Sequence, residues 1–225
     1  MIKSCVIGLS KVGVIHCENL LKIKKTSLDY IFDKNYNLSR KLSKKFKCNT
    51  SRDFDSIIRK KDILLFVIAS PTTTHDFYIR KLIKYKKMIY CEKPITNKNK
   101  NLSKIHNLIK KYKIRFCVGL NRRFSKEYVC LKNRINRKKI NTIEIISRSA
   151  NHNIDLSIRN GGLFFDKAFH FFDLACWLGN SKPKDMIVIS KSISTQDFLN
   201  KKDFSDAAVN LRLWNGIDVE IVFSR

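Results

Sequence analysis

Five short apolar runs in the first half of the chain, each leading into a stretch of helical periodicity, restrict this sequence more than any other feature. They cover residues 2–8, 27–33, 63–69, 88–94 and 115–120. Runs of this length read as strands, and the stretches around 12–23, 37–46, 54–60, 76–85 and 102–112 read as helices. Strands alternating with helices are joined by crossovers, and right-handed crossovers build a doubly wound parallel sheet, the Rossmann-type α/β class. The run Ile63-Leu64-Leu65-Phe66-Val67-Ile68-Ala69 is apolar throughout, as a strand covered on both faces requires. With 225 residues the chain buries roughly 70% of its unfolded surface, enough for one large domain or two small ones.

Composition narrows the setting. The run 63–69 is the longest without interruption and is far too short to span a bilayer. No charged, apolar, small-residue leader precedes the first strand, so the expected place is the cytoplasm, with no membrane partner. Seven cysteines form an odd set without a C-x-x-C pair, and they lie mostly in apolar runs. They read as reduced core thiols, neither a disulfide frame nor a zinc site. The net charge of +27 is unevenly placed: residues 1–150 hold 37 Lys and Arg against 10 Asp and Glu, and residues 151–225 hold 9 against 9. Such asymmetry marks a polyanion surface, attraction for an anionic cofactor, or compositional drift. The lysines decorate helix faces without one dense block and without interleaved aromatics, so we expect drift and no specific nucleic-acid partner.

Chemistry concentrates at the ends of the strands. Gly8-Leu9-Ser10-Lys11-Val12-Gly13 joins the first strand to a helix, where a dinucleotide fingerprint has G-x-G-x-x-G and Ser10 stands at the middle glycine. Two glycines alone also fit any tight strand-to-helix turn. Asp33 ends the second strand twenty residues after Gly13, the spacing of a carboxylate that accepts ribose hydroxyls. It would repel a 2′-phosphate and so favours NAD, while Lys34 and Arg40 keep NADP open. Ser70-Pro71-Thr72-Thr73-Thr74-His75 follows the central strand and either caps the next helix or lines a cofactor crevice. Glu92-Lys93-Pro94 leaves the fourth strand at the edge where such sheets bind ligands; in a lysine-rich chain the plain alternative is a solvated turn. Asn121-Arg122-Arg123-Phe124 leaves the fifth.

The second part reads differently. A strand over 140–150 and an irregular loop over 151–160 lead to Gly161-Gly162-Leu163-Phe164-Phe165 and a helix running to about 178. On it Asp166, His170 and Asp173 are spaced by four and three, one helical face. A satisfied polar stripe or a metal pair would show the same spacing, but two carboxylates and one histidine are a thin ligand set, and no metal is expected. Stretches 186–194, 207–214 and 217–223 read as strands of an open antiparallel sheet, the last two a hairpin at Asn215-Gly216.

Gly8…Gly13 with His16, then Ser70 to His75, Cys91-Glu92-Lys93-Pro94 and Gly119-Leu120-Asn121-Arg122-Arg123-Phe124, resemble in order and spacing the Gfo/Idh/MocA oxidoreductases, the family of glucose–fructose oxidoreductase and inositol 2-dehydrogenase. The resemblance implies an NAD(P)-binding domain over 1–121 and a substrate domain over 122–225 with a sugar or polyol substrate. The cofactor would meet Gly8, Ser10, Lys11, Val12, Gly13, Asp33, Ser70, Pro71, His75, Glu92, Lys93 and Asn121. Lys93, Asp166 and His170 would be catalytic, and these three with Arg123 would hold substrate. His170 would be the general base, tuned by Asp166, and Lys93 would stabilise alkoxide charge. Two departures count: Ser10 replaces a glycine, and relatives run on for roughly another half-length of substrate domain. A shortened second domain points to an open sheet edge, hence a homo-oligomer through the C-terminal sheet. The alternatives are a cofactor-binding pseudoenzyme or remnant without turnover, and a nucleic-acid-binding basic protein.

Overall fold

The computed structural model describes residues 1–96, 98–135, 139–148, 155, 162–193, 196–200 and 203–224, and for Asn99, Asp166, Asp197 and Phe198 the backbone alone. The chain divides into two compact units, Met1–Gly119 and Leu120–Arg225, against an expected boundary after 121.

The first unit is a parallel sheet of β1 (Ile2–Ile7), β2 (Thr26–Phe32), β3 (Asn49–Thr50), β4 (Ile63–Ile68), β5 (Met88–Cys91) and β6 (Phe116–Val118). Their order is β3-β2-β1-β4-β5-β6, so the connections reverse direction between β1 and β4. Such a switch point opens a crevice outside the carboxyl ends of the strands. Helices α1 (Lys11–Lys22), α2 (Tyr36–Phe46), α3 (Phe54–Ile58), α4 (Thr72–Lys84) and α5 (Asn99–Lys111) make the crossovers. The Asn35 side chain accepts the Leu38 N–H to cap α2, and Asp53 accepts from Asp55 and Ser56 to cap α3.

Strand β4 shows why an unbroken apolar run belongs at the centre. Phe66 and Ile68 pack with Ile7, Phe54, Ile79 and Leu82 on one face. Val67 packs on the other with Val6, Ile31, Cys17 and Leu20. Successive side chains alternate across a strand, so both faces must be apolar. Burying each such side chain stabilises the fold by roughly 1.5–3 kcal/mol. At the opposite, amino-terminal edge Lys87 is buried, and its Nζ donates to the carbonyls of Lys60 and Ile63, both at 2.7 Å. Burial pushes its ammonium pKa below the usual lysine value.

The second unit holds β7 (Thr142–Ser147), β8 (Pro183–Ser192), β9 (Asp206–Leu213) and β10 (Asp218–Ser224) in the order β7-β10-β9-β8. The hairpin between β9 and β10 turns at Gly216, whose φ of +86° is left-handed. Here the expectation of an antiparallel sheet is corrected: β7 and β10 pair in parallel, so the sheet is mixed. The long stretch between those two strands contains a helix, and a crossover of that length permits parallel pairing. A 3₁₀ turn (Asn121–Phe124) and α6 (Lys126–Ile135) precede the sheet; a π-helical segment (Phe164–Ala168) runs into α7 (Phe169–Leu178). Phe171, Leu174, Ala175 and Leu178 recur at helical spacing and pack on Val209, Leu211, Val219, Ile221 and Phe223.

Two further expectations change. The segment that carries Asp166 is π-helical where an α-helix was expected, while His170 and Asp173 lie three residues apart in α7. The expected loop 151–160 (Asp155 aside), Gly161 and the last two residues of the strand 140–150 lie outside the described residues. Among the thiols Cys5, Cys17 and Cys91 are buried, but Cys117 and Cys130 are exposed, because apolar neighbours in sequence do not fix which face a residue takes. Burial raises Cys17 to about 12 and Cys48 to about 11, so neither is a reactive thiolate at neutral pH. No helix among the described residues is long and apolar enough to cross a membrane.

Candidate active site

The turn after β1 is built by what its glycines lack. Gly8 has φ +87°, and a Cβ there would stand 2.5 Å from the backbone N and Cα of Ser70. A Cβ on Gly13 would stand 1.9 Å from the Gly8 carbonyl oxygen. Helix α1 can approach the strand end this closely only without side chains at both positions. Ser10 is the N-cap of α1 in extended backbone, yet its hydroxyl makes no cap bond. Ser10, Lys11 and Val12 are exposed along the rim of the turn. The first-turn N–H groups of α1, which have no intrahelical acceptor, make this rim a site for anionic oxygen.

Asp33 stands at the end of β2 beside that rim. One of its carboxylate oxygens accepts the Leu9 N–H and the other the Asn35 N–H, both at 2.8 Å. The Gly8 N–H donates to the Phe32 carbonyl at 2.8 Å, which draws the two strand ends together. Each carboxylate oxygen keeps a further acceptor position.

Strands β4 and β5 pair up to Ile68 and Cys91, so the loops that begin at Ser70 and Glu92 leave the sheet side by side. In the first, Thr72 to Thr74 form the opening turn of α4, four residues earlier than expected, with Pro71 at the N-cap position. No side chain caps that helix; the Thr74 hydroxyl instead donates to the Pro71 carbonyl and meets the Ser70 hydroxyl, both at 2.7 Å. In the second, the Glu92 N–H donates to the Ile68 carbonyl at 2.9 Å, and Lys93-Pro94 is a cis peptide. Lys93 itself is half-buried.

Two residues expected to touch cofactor are engaged inside the unit. His75 is 1% exposed, and its Nδ1 and Nε2 lie 2.9 and 2.8 Å from the carbonyls of Pro94 and Ser70. A neutral ring donates to one of these carbonyls, and the protonated ring to both. Burial pushes its pKa below the usual histidine value, against the pull of the two carbonyls. The Glu92 carboxylate lies 2.8 Å from His16 Nε2. Burial acts to raise its pKa, but the bond to His16, that ring's charge, and the Lys93 N–H and ammonium outweigh burial and hold it below the usual carboxylate range. Tyr90 packs its ring against His16 at 5.2 Å. Gly119 leaves room for this group, since a Cβ there would be 2.9 Å from the Tyr90 hydroxyl and 3.0 Å from Glu92 Oε1. His16 counts with the glycine turn in the family resemblance but was expected to touch neither cofactor nor substrate; the Glu92 carboxylate is its partner.

In the second unit the 3₁₀ turn carries Asn121, Arg122 and Arg123. Arg123, expected to hold substrate, forks onto the Asp173 carboxylate through Nε and Nη2, and that bond raises its pKa. Its planar donor edge is thereby committed to the helix. Arg122 stacks its guanidinium 4.4 Å from the centre of the Phe171 ring. Asn121 is exposed, and His170 is half-buried in the first turn of α7.

Known proteins share this fold. Residues 2–120 match the model of an oxidoreductase family with an NAD-binding Rossmann fold. The uncharacterized oxidoreductase YrbE of Bacillus subtilis is 27% identical over 98% of this chain and 66% of its own length. The myo-inositol 2-dehydrogenase of Thermotoga maritima is 27% identical over 94% of this chain and 65% of its own. A myo-inositol dehydrogenase structure from Corynebacterium glutamicum superposes with a TM-score of 0.92 at 24% identity, over 100% of this chain and 68% of that one. The chain thus spans about two thirds of the length of the relatives it matches. Glycine turn, strand-end carboxylate, Glu-Lys-Pro strand end and family match coincide in one unit, and the chain belongs to the Gfo/Idh/MocA oxidoreductase family.

Proposed function

We propose that this chain binds NAD at the carboxyl edge of its first sheet and serves the oxidation of a polyol hydroxyl of the inositol kind to a ketone. The observation that carries the reading is the Asp33 carboxylate, fastened by the Leu9 N–H beside a turn whose two glycines leave a cradle that a Cβ would fill. The pyrophosphate would lie along the rim at Ser10, Lys11 and Val12, on the first-turn N–H groups of α1. Asp33 would accept the ribose hydroxyls and disfavour a 2′-phosphate. Ser70, Pro71 and, on the resemblance alone, Asn121 would flank the nicotinamide end. Bound NAD supplies the hydride acceptor.

The remaining chemistry falls to the chain's own side chains. Lys93 would hold the reacting oxygen and balance the negative charge that grows on it. His170 would take the hydroxyl proton, a task that suits imidazole because its pKa lies near neutrality. Asp166 is assigned the orienting role on the resemblance alone. The relative named myo-inositol 2-dehydrogenase supports the substrate class.

Nicotinamide fluorescence titration with NADH and NADPH, followed by absorbance assays of NAD reduction with a panel of inositols and hexoses, tests the reading. Tighter binding of NADH and turnover with an inositol are expected. Absence of NADH binding would overturn it, and binding without turnover on any polyol would leave a cofactor-binding protein.

A further inference from the structure

Lys93 has a histidine-held residue on each side, and the two histidines come from different helices. On one side Glu92 meets His16 of α1 at 2.8 Å, with side chains only 22% and 17% exposed. On the other, the Pro94 carbonyl meets His75 of α4 at 2.9 Å. We propose that His16 and His75 are positioning residues that hold Lys93 at the sheet edge, His16 through the Glu92 carboxylate and His75 through the Pro94 carbonyl. The inference rests on the reading of Lys93 as the substrate-facing lysine.

A lysine is a compact charge on a flexible four-carbon stem, and a displacement of its backbone is carried to the ammonium. The backbone here has three anchors: the Glu92 N–H on Ile68, the Glu92 carboxylate on His16, and the Pro94 carbonyl on His75. His75 also reaches the Ser70 carbonyl, which ties the neighbouring crevice loop to the same support. Around Glu92 the fit is close, with Tyr90 on the His16 ring and Gly119 leaving no Cβ under the carboxylate. The two histidines bond the residues immediately before and after the lysine, which is where a lateral displacement would be transmitted to the ammonium. Misplacement by about 1 Å is enough to cost on the order of 10²-fold in rate.

The test compares His16→Ala, His16→Gln and His75→Gln with the parent chain. Glutamine keeps a neutral donor near the place of Nε2, so it separates the hydrogen bond from the ring. Three quantities are read: NADH affinity, the split of kcat from KM with an inositol, and the rate of Lys93 acetylation by acetic anhydride relative to exposed Lys34, followed by mass spectrometry. His16→Ala should lower kcat about tenfold or more, leave NADH affinity within about threefold, and change the relative labelling of Lys93 about threefold. His16→Gln should recover most of both effects, and His75→Gln should disturb Lys93 labelling in the same way through Pro94. Parental kcat and labelling in His16→Ala would overturn the proposal, as would a loss that His16→Gln does not relieve or one that merely tracks weaker NADH binding and a lower melting temperature. Should the parent chain lack turnover, the dehydrogenase reading fails, and the labelling comparison still decides whether the histidines place Lys93.

Discussion

The Leu9 N–H and the Asp33 carboxylate, 2.8 Å apart, join the glycine turn to the end of the second strand, so the group proposed to read the ribose also holds the turn in place. Hydrogen bonds to a charged partner contribute about 1.5–3 kcal/mol each. Asp33→Ala is therefore expected to weaken NADH binding about tenfold or more and to narrow the gap between NADH and NADPH. Fluorescence titration of both cofactors measures this; equal affinities in the parent chain, unaltered by the substitution, would remove Asp33 from the ribose site.

Gly13→Ala is expected to abolish NADH binding and lower the melting temperature. The added Cβ meets a backbone oxygen at 1.9 Å and cannot be relieved by a rotamer change. Overpacking of this kind costs about 1–3 kcal/mol or more. Calorimetry with and without NADH reads both effects, and a variant with parental melting temperature and affinity would refute the close approach of α1 to the turn.

Acid should loosen the first unit in two stages. His75 has a depressed pKa in the fold, so below the ordinary histidine value of about 6.5 the unfolded chain takes up a proton that the folded chain resists, and stability falls as pH falls. Glu92 is also depressed, so its contribution, complete above about pH 4.3, is lost as pH falls through the folded value. Thermal melts between pH 7.5 and about 2.5, on the parent chain and on His75→Gln, check this. The His75→Gln curve should lose the upper stage and keep the lower one; a parent curve flat from pH 7 to 5 would contradict it.

Phe66 is fully buried on the central strand, and Phe66→Ala should cost about 3–5 kcal/mol. Denaturant unfolding followed by circular dichroism measures the loss. A cost below about 1 kcal/mol would mean that the site collapses around the missing ring or that β4 is less central than it stands.

If turnover with an inositol is found, Lys93→Ala and His170→Ala should each lower it about 10²–10⁴-fold with the fold retained. A His170→Ala variant that oxidises polyols at the parental rate across neutral pH would refute the base assignment.

Much of the first unit was legible because each strand end carried its own punctuation. Gly8 and Gly13 marked a turn, Asp33 a strand end, and Pro94 an exit, and these signals are local. What escaped the sequence reading was cross-chain. His16 and Glu92 are 76 residues apart, and Arg123 and Asp173 are 50 apart, so neither pair leaves a spacing pattern to read. His75 was assigned to the cofactor on the resemblance; its burial depends on the pitch of α4, which the motif does not state. In the second unit the widening of the helix over Phe164–Ala168 leaves no mark in the spacing of Asp166, His170 and Asp173. The parallel pairing of β7 with β10 was equally hidden: order along the chain does not state which strands become neighbours.

The two arginines of the 3₁₀ turn bear on how the protein presents its charge. Arg123 gives its planar fork to Asp173, and Arg122 lays its guanidinium over Phe171. Adjacent guanidinium groups are what a phosphate would grip in two-point fashion, and here the Arg123 fork is closed by a carboxylate while Arg122 is held by its face. A polyanion approaching this turn meets no pair of free forks. The basic excess it feels comes largely from lysines, point charges spread over helix faces, so its retention should be indifferent to sequence and fade steeply as salt releases the counterion advantage.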